Sequence, residues 1–579
     1  MLLSIEPYGA GGFDYFQIST IADIPMGEFW VNRPDAWHWW SGKMVASAAH
    51  AMGKSIVGAE SYTAGPPNSE WTNSPRSMKA LGDWAFSQGI NRYIFHTDAH
   101  QPWGDDVKPG MTMGPHGIQF NRNNTWYGEA RPWVDSIART QFMLQQGRLV
   151  ADLCYIAPEE AVQTPLNRED LKPEPPAGYD YDYLHYSFVM QMSVKNGRIV
   201  LPSGMSYAVL VLPDTDRIRP ELLEKIVELK NAGAKVLVPR KIVGSPSLAG
   251  GVTNDKKVKA LSEELGAGRS LKELLGQADI DWVGDVNLVA LHRQVDGRDV
   301  YFLANQDRKD VSFSAIFRDT RVAEIWRTMD GTIVRAQSDA VAGDRRATTS
   351  SLISMKLGPT ESVFVVFSNN SSAPIQKEFL AASTKTIDGP WSVAFPDGWG
   401  APAKVELPKL MSWTEHENSE VKHFSGTAIY SNKFEVLADR IGDGKVAMLN
   451  LGDVQVMARV KLNGKDLGLL WKPPYRVDVS DAIRVRENEL EVRVTNLWVN
   501  RLIGDAAYPP GVEMKKTKNG SVVAEIPRWL LKGEPRPATL RKTFATWSFY
   551  KASDPLLPSG LIGPVKVEFG KRVNVSAAK

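Results

Sequence analysis

Residues 56–60 read IVGAE, and the polar, proline-containing segment SYTAGPP follows at 61–67. Small and apolar residues that end in one carboxylate are typical of a buried strand that carries Glu60 to a loop. Parallel α/β barrels present their catalytic groups at such strand ends. We therefore expect Glu60 to be a catalytic carboxylate, with a surface glutamate at a strand end as the structural alternative.

The sequence around IVGAE repeats this alternation of strand and helix. Strands are predicted at 2–5, at 23–30 and at 93–95, and helices at 35–52, 74–89 and 132–147. Ser74 suits a helix cap and Pro75 the first helical position. A closed barrel needs eight βα units, and about four are recognisable here. The count fits either an open parallel sheet or a barrel that has lost its first half. Because the chain opens abruptly on a strand, residues 1–150 are predicted to be the C-terminal half of a (β/α)8 TIM-type catalytic barrel.

The rest of the chain is predicted to form three further domains, which makes the fold class multidomain α/β plus all-β. Residues 151–285 alternate buried strand and amphipathic helix, as in a flavodoxin-like α/β domain, without a phosphate-binding glycine fingerprint. Residues 286–370 alternate as strands around the turns Asp296-Gly297 and Asp330-Gly331, which favours a small β-sandwich. Residues 375–579, with an Asn463-Gly464 turn, favour a jelly-roll β-sandwich of carbohydrate-binding type.

Composition excludes several classes of protein. The 579 residues carry a net charge of +2, which gives no basis for binding nucleic acid or an acidic membrane surface. No apolar run is long enough to span a membrane, and the N-terminus shows no signal-peptide pattern. One cysteine, Cys154, excludes an intrachain disulfide and a cysteine-based metal cluster.

Glutamates end three successive predicted strands, at Glu6, Glu28 and Glu60. Glycoside hydrolysis needs two carboxyl groups beside the scissile bond, one as acid and one as base or nucleophile. Three glutamates on one face of a sheet can supply such a pair. Strand-end glutamates can also bind sugar hydroxyls or cap helices, so the residues alone leave these roles open.

Aromatic and histidine side chains lie in loops close to these strand ends, and the chain contains 18 tryptophans. Such side chains suit a sugar, whose apolar faces and hydroxyl groups alternate. Packing of the loops onto neighbouring helices is the structural alternative, and the HxxxH spacing in the loop does not define a zinc site. The predicted substrate-binding residues are Glu28, Trp30, His96, His100, Trp103 and Trp126.

Several long segments carry a resemblance to a known family. ADIPMGEFW, GKSIVGAESYT, TWYGEARPWVDSIARTQFMLQQGRLVADLCY and, nearer the C-terminus, LNLGDVQVMARVKLNGKDLGLLWKPPYRVDVS resemble family 106 glycoside hydrolases, the α-L-rhamnosidases. The resemblance implies a (β/α)8 barrel with accessory α/β and β-sandwich domains, and inverting hydrolysis of terminal rhamnose. It also implies calcium near the sugar and a periplasmic or extracellular location.

The same resemblance assigns catalytic roles. It identifies Glu60 as the general base and places the general acid on an earlier strand, in a motif similar to D-S-Y-E. No such motif precedes Glu6, so we expect the N-terminal half of the barrel to be absent and a second polypeptide to supply the missing strands. Two alternatives remain open: a non-catalytic carbohydrate-binding protein and another exoglycosidase of β-galactosidase type.

Overall fold

The computed structural model describes residues 1–9, 12–31, 41–104, 106–159, 166–266, 268–342, 349–537 and 539–575. Its first part alternates strand and helix: β1 Ser4–Ile5, α1 Tyr15–Ile21, β2 Ile24–Trp30, α2 Ser41–Ala51, β3 Gly58–Thr63, α3 Pro75–Ser87, β4 Arg92–Phe95, β5 Pro109–Gly110, α4 Arg131–Leu144 and β6 Arg148–Leu149. The strands β1, β2, β3 and β4 form one sheet in that order, and every pairing in it is parallel.

Local sequence explains how these elements begin and pack. Helix α3 starts at Pro75, with a capping box in which Ser74 and Ser77 satisfy each other's backbone groups, as the sequence predicts. Helix α2 lies very close to β2, because a Cβ on Gly27 would stand 3.0 Å from the backbone nitrogen of Gly42. Glycine at position 27 therefore allows the helix to rest directly on the strand, while a Cβ on Gly42 would stand 3.0 Å from the Ile90 side chain.

The second part has a four-stranded parallel sheet in the order β13-β12-β7-β8, flanked by helices. Its elements are β7 Leu153–Ile156, β8 Tyr181–Leu184, β9 Ser193–Lys195, β10 Arg198–Val200, β11 Ser206–Tyr207, β12 Val209–Val211, α5 Pro220–Asn231, β13 Lys235–Leu237, α6 Gly251–Leu265 and α7 Leu271–Leu274. The predicted α/β alternation in this region is therefore present as a parallel sheet.

The third part consists of two antiparallel sheets around an apolar core. Its strands are β14 Ile280–Val283, β15 Leu288–Val295, β16 Arg298–Asn305, β17 Val311–Phe317, β18 Val322–Arg327, β19 Ile333–Arg335, β20 Asp339–Ala342, β21 Thr349–Leu357 and β22 Ser362–Ser368. Two strands reach across the predicted boundaries. β14 lies within 151–285 but pairs with β17, and β6 lies within 1–150 but pairs with β15.

The C-terminal part is another antiparallel β-sandwich, with sheets in the orders β23-β38-β27-β31 and β25-β24-β26-β32-β29-β30. Its strands are β23 Lys377–Thr386, β24 Trp391–Ala394, β25 Lys404–Leu407, β26 Thr427–Val436, β27 Val446–Asn450, β28 Asp453–Gln455, β29 Met457–Leu462, β30 Lys465–Leu470, β31 Arg476–Asp478, β32 Arg486–Thr495, β33 Met514–Thr517, β34 Gly520–Val523, β35 Phe544–Ala545, β36 Trp547–Ser548, β37 Gly560–Gly563 and β38 Lys566–Asn574. Its helices are α8 Ser419–Lys422, α9 Val499–Asp505 and α10 Arg528–Lys532.

Contacts between these parts fix the strand ends of the first sheet against the C-terminal region. The loop after β4 contributes β5, which pairs in parallel with β35. The indole of the buried Trp498 donates a hydrogen bond of 2.8 Å to the carbonyl of Asn123 in the same loop. No helix in the described part of the chain is long and apolar enough to cross a membrane.

Candidate active site

Three carboxyl groups project from one face of the parallel sheet. Glu28 on β2 and Glu60 on β3 are register partners, so their side chains point to the same side of adjacent strands. Glu6 follows β1, whose Ile5 pairs with Pro25, and strand alternation places Glu6 on this face as well. The sheet therefore gathers the three predicted carboxylates, as a glycosidase site requires.

Glu28 and Glu60 lie within their strands, which corrects the expectation of a glutamate at each strand tip. β3 continues through Ser61 and Tyr62 to Thr63, because the bulge opposite Phe29 and Trp30 prolongs the pairing. Tyr62 has a φ of +60°, a left-handed conformation that non-glycine residues seldom adopt. A bulge of this kind redirects the side chains that follow it.

The bulge brings Thr63 to the same side of the strand as Glu60. In a regular strand, residues three apart face opposite sides of the sheet. Here the Thr63 hydroxyl donates a hydrogen bond to Glu60 Oε1. Thr63 therefore holds the Glu60 carboxylate in place, a role that the strand pattern alone did not predict.

Burial and mutual repulsion keep a proton on Glu28. Its side chain is 8% exposed, and burial raises its pKa to about 7, with the neighbouring Glu60 and Glu6 carboxyls adding to the shift. A hydrogen bond from the Trp30 side chain opposes the shift. Burial and the Glu60 charge also raise the pKa of Glu6. Burial therefore favours the protonated forms of Glu28 and Glu6 on the face that also carries Glu60.

Trp30 and two histidines surround the carboxyl groups. His96 Nε2 stands 3.9 Å from Glu60 Oε1, and burial lowers the pKa of His96, which favours a neutral imidazole. Trp30 and His116 both approach Gly65, since a Cβ there would lie 3.5 Å from each ring. The structure thus brings together Glu28, Trp30, His96 and Glu60, and it adds His116 from the same loop.

Comparison with known proteins agrees with this geometry. Residues 12–339 match the Glyco_hydro_106 family model, described as alpha-L-rhamnosidase. The chain belongs to this rhamnosidase family. Residues 411–562 match a second model, the glycosyl hydrolase 2 galactose-binding domain-like family.

Two relatives of this rhamnosidase-family chain cover nearly all of it. The rhamnosidase from Novosphingobium sp. PP1Y is 30% identical, with a TM-score of 0.80 over 96% of this chain and 52% of that one. A Formosa agariphila protein named "Putative beta-glucuronidase" is 30% identical over 97% of this chain and 67% of its own length. The chain thus spans about half the length of the Novosphingobium rhamnosidase. The further prediction, that it lacks the N-terminal half of the barrel, is not borne out by these matches.

Three of the predicted sugar-binding residues lie away from the carboxyl groups of Glu6, Glu28 and Glu60. They are His100, Trp103 and Trp126. His100 is exposed in the loop after β4. Trp103 packs edge-on against Phe544, with ring centroids 5.7 Å apart, within an apolar cluster of the C-terminal region.

The prediction that Trp126 binds the sugar is wrong, because its side chain lies in the core. Its side chain is 0% exposed, it packs edge-on against Trp133, and its indole donates a hydrogen bond to the carbonyl of Asn73. It is therefore a core residue that positions the loop, because a sugar cannot reach a fully buried ring. The sequence pattern is equally consistent with a pocket residue and with a packing residue, and the contact with Trp133 on α4 shows that Trp126 packs the loop onto the helix.

The resemblance implies a calcium ion near the sugar. In the described parts of this rhamnosidase-family chain, no group of carboxylates is arranged as calcium ligands. Within those ranges, no three His, Cys, Asp or Glu side chains cluster as metal ligands. Calcium usually takes six to eight oxygen ligands, several of them carboxylates. The chemistry derived below therefore uses no metal ion.

Glu28→Gln is expected to raise the melting temperature more at pH 8 than at pH 5. The folded-state pKa of Glu28, about 7, exceeds its ordinary value of 4.5. The folded chain therefore holds a proton that the unfolded chain loses, and stability falls as the pH rises from about 4.5 to about 7. Glutamine does not titrate, so the variant avoids this loss of stability. Melting temperatures of wild type and variant at pH 5 and pH 8 test the prediction, with Glu378→Gln on the exposed strand β23 as the control. An equal change in melting temperature at both pH values would contradict it.

Proposed function

We propose that this chain hydrolyses terminal α-L-rhamnose with inversion and that Glu60 is the general base. The observation that carries the proposal is the Glu60 carboxylate, which accepts a hydrogen bond from Thr63 on the sheet face that also carries Glu28 and His96. Membership of the rhamnosidase family supplies the substrate class. The activity remains a proposal because the Novosphingobium rhamnosidase is about twice as long as the matched region.

In this proposal Glu60 removes a proton from the water that attacks the anomeric carbon. An inverting glycosidase holds that water between its base and the sugar face opposite the leaving group. The Thr63 hydroxyl fixes one carboxylate oxygen of Glu60, which leaves the other oxygen to accept the proton. Neutral His96 beside Glu60 can donate to a sugar hydroxyl without neutralising the base.

Glu28 is assigned to sugar binding rather than to leaving-group protonation. Adjacent strands lie about 4.8 Å apart, whereas the two carboxyls of an inverting enzyme stand roughly 6.5–9.5 Å apart to admit water. The backbone spacing of the two strands therefore favours a sugar-binding role for Glu28 over protonation of the leaving group. With a pKa of about 7, Glu28 can donate a hydrogen bond to a rhamnose hydroxyl. The family resemblance places the general acid on an earlier strand, and no residue of this chain is assigned to that role.

The architecture proposed for this function is a (β/α)8 barrel in which β1 to β4 are one part, followed by flavodoxin-like, small-sandwich and jelly-roll domains. The strands β1 and β4 are the outer strands of the described sheet. Exposed edges of this kind are normally paired or covered. A second polypeptide that supplies the covering strands, calcium near the sugar, and a periplasmic or extracellular location all stay predictions.

The second candidate function is non-catalytic carbohydrate binding. The match of residues 411–562 to a galactose-binding-like domain favours it. In that case the carboxyl face would bind sugar without hydrolysing it, and the C-terminal sandwich would provide the main affinity.

Turnover and binding together separate the two functions. We expect the purified chain to hydrolyse p-nitrophenyl α-L-rhamnoside but to act far more slowly on an alkyl rhamnoside. The reason is that p-nitrophenolate leaves with little help from a general acid, whereas an alkoxide requires protonation. Colorimetric assay and calorimetric titration with rhamnose check this. Rhamnose binding without turnover of either substrate would favour the binding protein.

A further inference from the structure

A cleft lies where the first three parts of the chain meet. It has a volume of about 380 Å³, within the range of ligand-binding pockets. Helices α2 and α3 line one side, the segment that leads into β8 lines a second, and the strands β14, β15 and β16 line the third. Glu6, Glu28 and Glu60 are not part of its lining, so the cleft is separate from the candidate active site.

A buried ion pair with unused hydrogen-bonding capacity lines this cleft. The side chain of Lys43 on α2 is 8% exposed, and its ammonium donates a hydrogen bond of 2.6 Å to Asp180 Oδ1. An ammonium has three N–H donors, and this is the only hydrogen bond that it makes in the described part of the chain. Asp180 Oδ2 is buried and has no hydrogen-bond partner among the described residues. Buried polar groups normally have partners, so the pair suits a ligand that both donates and accepts hydrogen bonds.

Tyr181 holds both members of the pair in place. Lys43 Nζ lies 4.7 Å from the centre of the buried Tyr181 ring, a position in which the ring attracts the cation. The backbone N–H of Tyr181 donates a hydrogen bond of 2.7 Å to Asp180 Oδ1. Donor and acceptor are therefore fixed before a ligand arrives, which lowers the entropic cost of binding.

The other charged groups of the lining are satisfied by the chain or by solvent. Arg168 donates to three backbone carbonyls through Nη2, and Glu169 is exposed. Asp279 is hydrogen-bonded to His292 at 2.8 Å and to Arg318 at 3.0 Å. The lining thus mixes cations and carboxylates, so it does not concentrate ions of one sign. This balance favours an uncharged ligand.

Aromatic rings provide apolar surface in the same cleft. Trp282 on β14 and Tyr179 both line it and are partly exposed. The Tyr179 hydroxyl donates a hydrogen bond of 2.6 Å to the carbonyl of Gly276, which fixes the ring. A sugar ring has apolar C–H faces and hydroxyl groups at its rim, and these match aromatic rings beside a hydrogen-bonding pair.

We propose that this cleft binds a neutral sugar unit of a glycan, with its ring against Trp282 and two neighbouring hydroxyl groups on Lys43 and Asp180. One hydroxyl donates to Asp180 Oδ2, and the other accepts from the Lys43 ammonium. The cleft lies apart from the carboxyl face, so it holds a glycan at a second place. The proposal goes beyond rhamnose hydrolysis and does not require turnover at Glu60.

Calorimetric titration of the full chain tests the proposal with neutral and acidic probes. The neutral probes are D-galactose, D-glucose, lactose and cellobiose, and the acidic probe is digalacturonate. At least one neutral probe is expected to bind at one site per chain and to raise the melting temperature, because a ligand that binds only the folded chain stabilises it. Digalacturonate is expected to bind at least tenfold more weakly, since the lining offers its carboxylates no unpaired excess of cations.

Two substitutions locate the binding in this cleft. Trp282→Ala removes the ring, and Asp180→Asn removes the charge of the acceptor; each should weaken the affinity about tenfold. Two matched controls should leave the affinity unchanged. Trp326→Ala replaces a partly exposed tryptophan on β18 of the same sandwich, and Asp214→Asn replaces an aspartate that pairs with Arg240 at 2.8 Å in the same α/β part.

Three results would each overturn the proposal. They are no binding of any neutral probe at millimolar concentration, tighter binding of digalacturonate than of every neutral probe, and unchanged affinity in the Trp282→Ala variant. Asp180 also joins two parts of the chain, so Trp282→Ala alone decides the test if Asp180→Asn lowers the melting temperature. Glu60→Gln should bind the neutral probe as wild type does, so failure of this site is distinct from failure of the proposed rhamnosidase activity.

Discussion

Glu60→Gln is expected to lower kcat on p-nitrophenyl α-L-rhamnoside by about a thousandfold, with a much smaller change in KM. Glutamine keeps the shape of the side chain and can still accept the hydrogen bond from Thr63, but it cannot take a proton from water. General base catalysis contributes about 10²- to 10⁴-fold, and the loss should fall on the chemical step. Steady-state kinetics of wild type and variant measure both constants.

Azide distinguishes a lost base from a disturbed structure. It attacks without deprotonation, so it should restore part of the turnover of the Glu60→Gln variant and form a rhamnosyl azide. Glu378→Gln, an exposed glutamate on β23, is the matched control and should behave as wild type. Activity of Glu60→Gln within threefold of wild type would show that another group activates the water.

Asp83→Asn is expected to lower the free energy of unfolding by about 3–5 kcal/mol. Asp83 is buried in α3 and paired with Lys79, whose ammonium also donates a hydrogen bond of 2.8 Å to Ser362 at the start of β22. Lys472 of the C-terminal region is nearby, and burial together with the Lys79 charge lowers its pKa to about 8. Asparagine would leave the buried ammonium groups without their carboxylate partner.

The chain offers a matched control for this substitution. Arg131 and Asp135 on α4 have the same four-residue spacing at 2.7 Å but are exposed, so Asp135→Asn should cost less than about 1 kcal/mol. Replacing both buried partners, as Lys79→Met with Asp83→Leu, should recover most of the loss. Chemical denaturation measures all three variants. A cost for Asp83→Asn no greater than that of Asp135→Asn would mean that the buried pair does not hold these parts together.

Local signals in the sequence predicted local structure well. Asn463-Gly464 was expected to form a hairpin turn, and both residues have positive φ between β29 and β30. The Ser74-Pro75 start of α3 was likewise predicted from neighbouring residues. In each case the determining interactions lie within a few positions of one another, so the sequence contains the whole cause.

The remaining features depend on contacts between distant segments. Lys79 and Asp83 look like a solvent-exposed pair on an amphipathic helix, and only the β-sandwich that covers this face buries them. Thr63 reaches Glu60 only because of a bulge set by pairing with β2. The strand pattern alone would place the two side chains on opposite faces. The sequence therefore predicts Glu60 as a site residue but does not predict the hydrogen bond that positions its carboxylate.

The central claim is that Glu60 activates water for inverting attack on an α-L-rhamnoside. Proton NMR of wild-type hydrolysis, recorded before the free sugar equilibrates, tests it most directly on p-nitrophenyl α-L-rhamnoside. The claim predicts β-L-rhamnose as the first product, followed by slow appearance of the α anomer. Initial release of α-L-rhamnose would contradict it, because it would indicate a covalent intermediate and a nucleophilic carboxylate as close as Glu28 and Glu60.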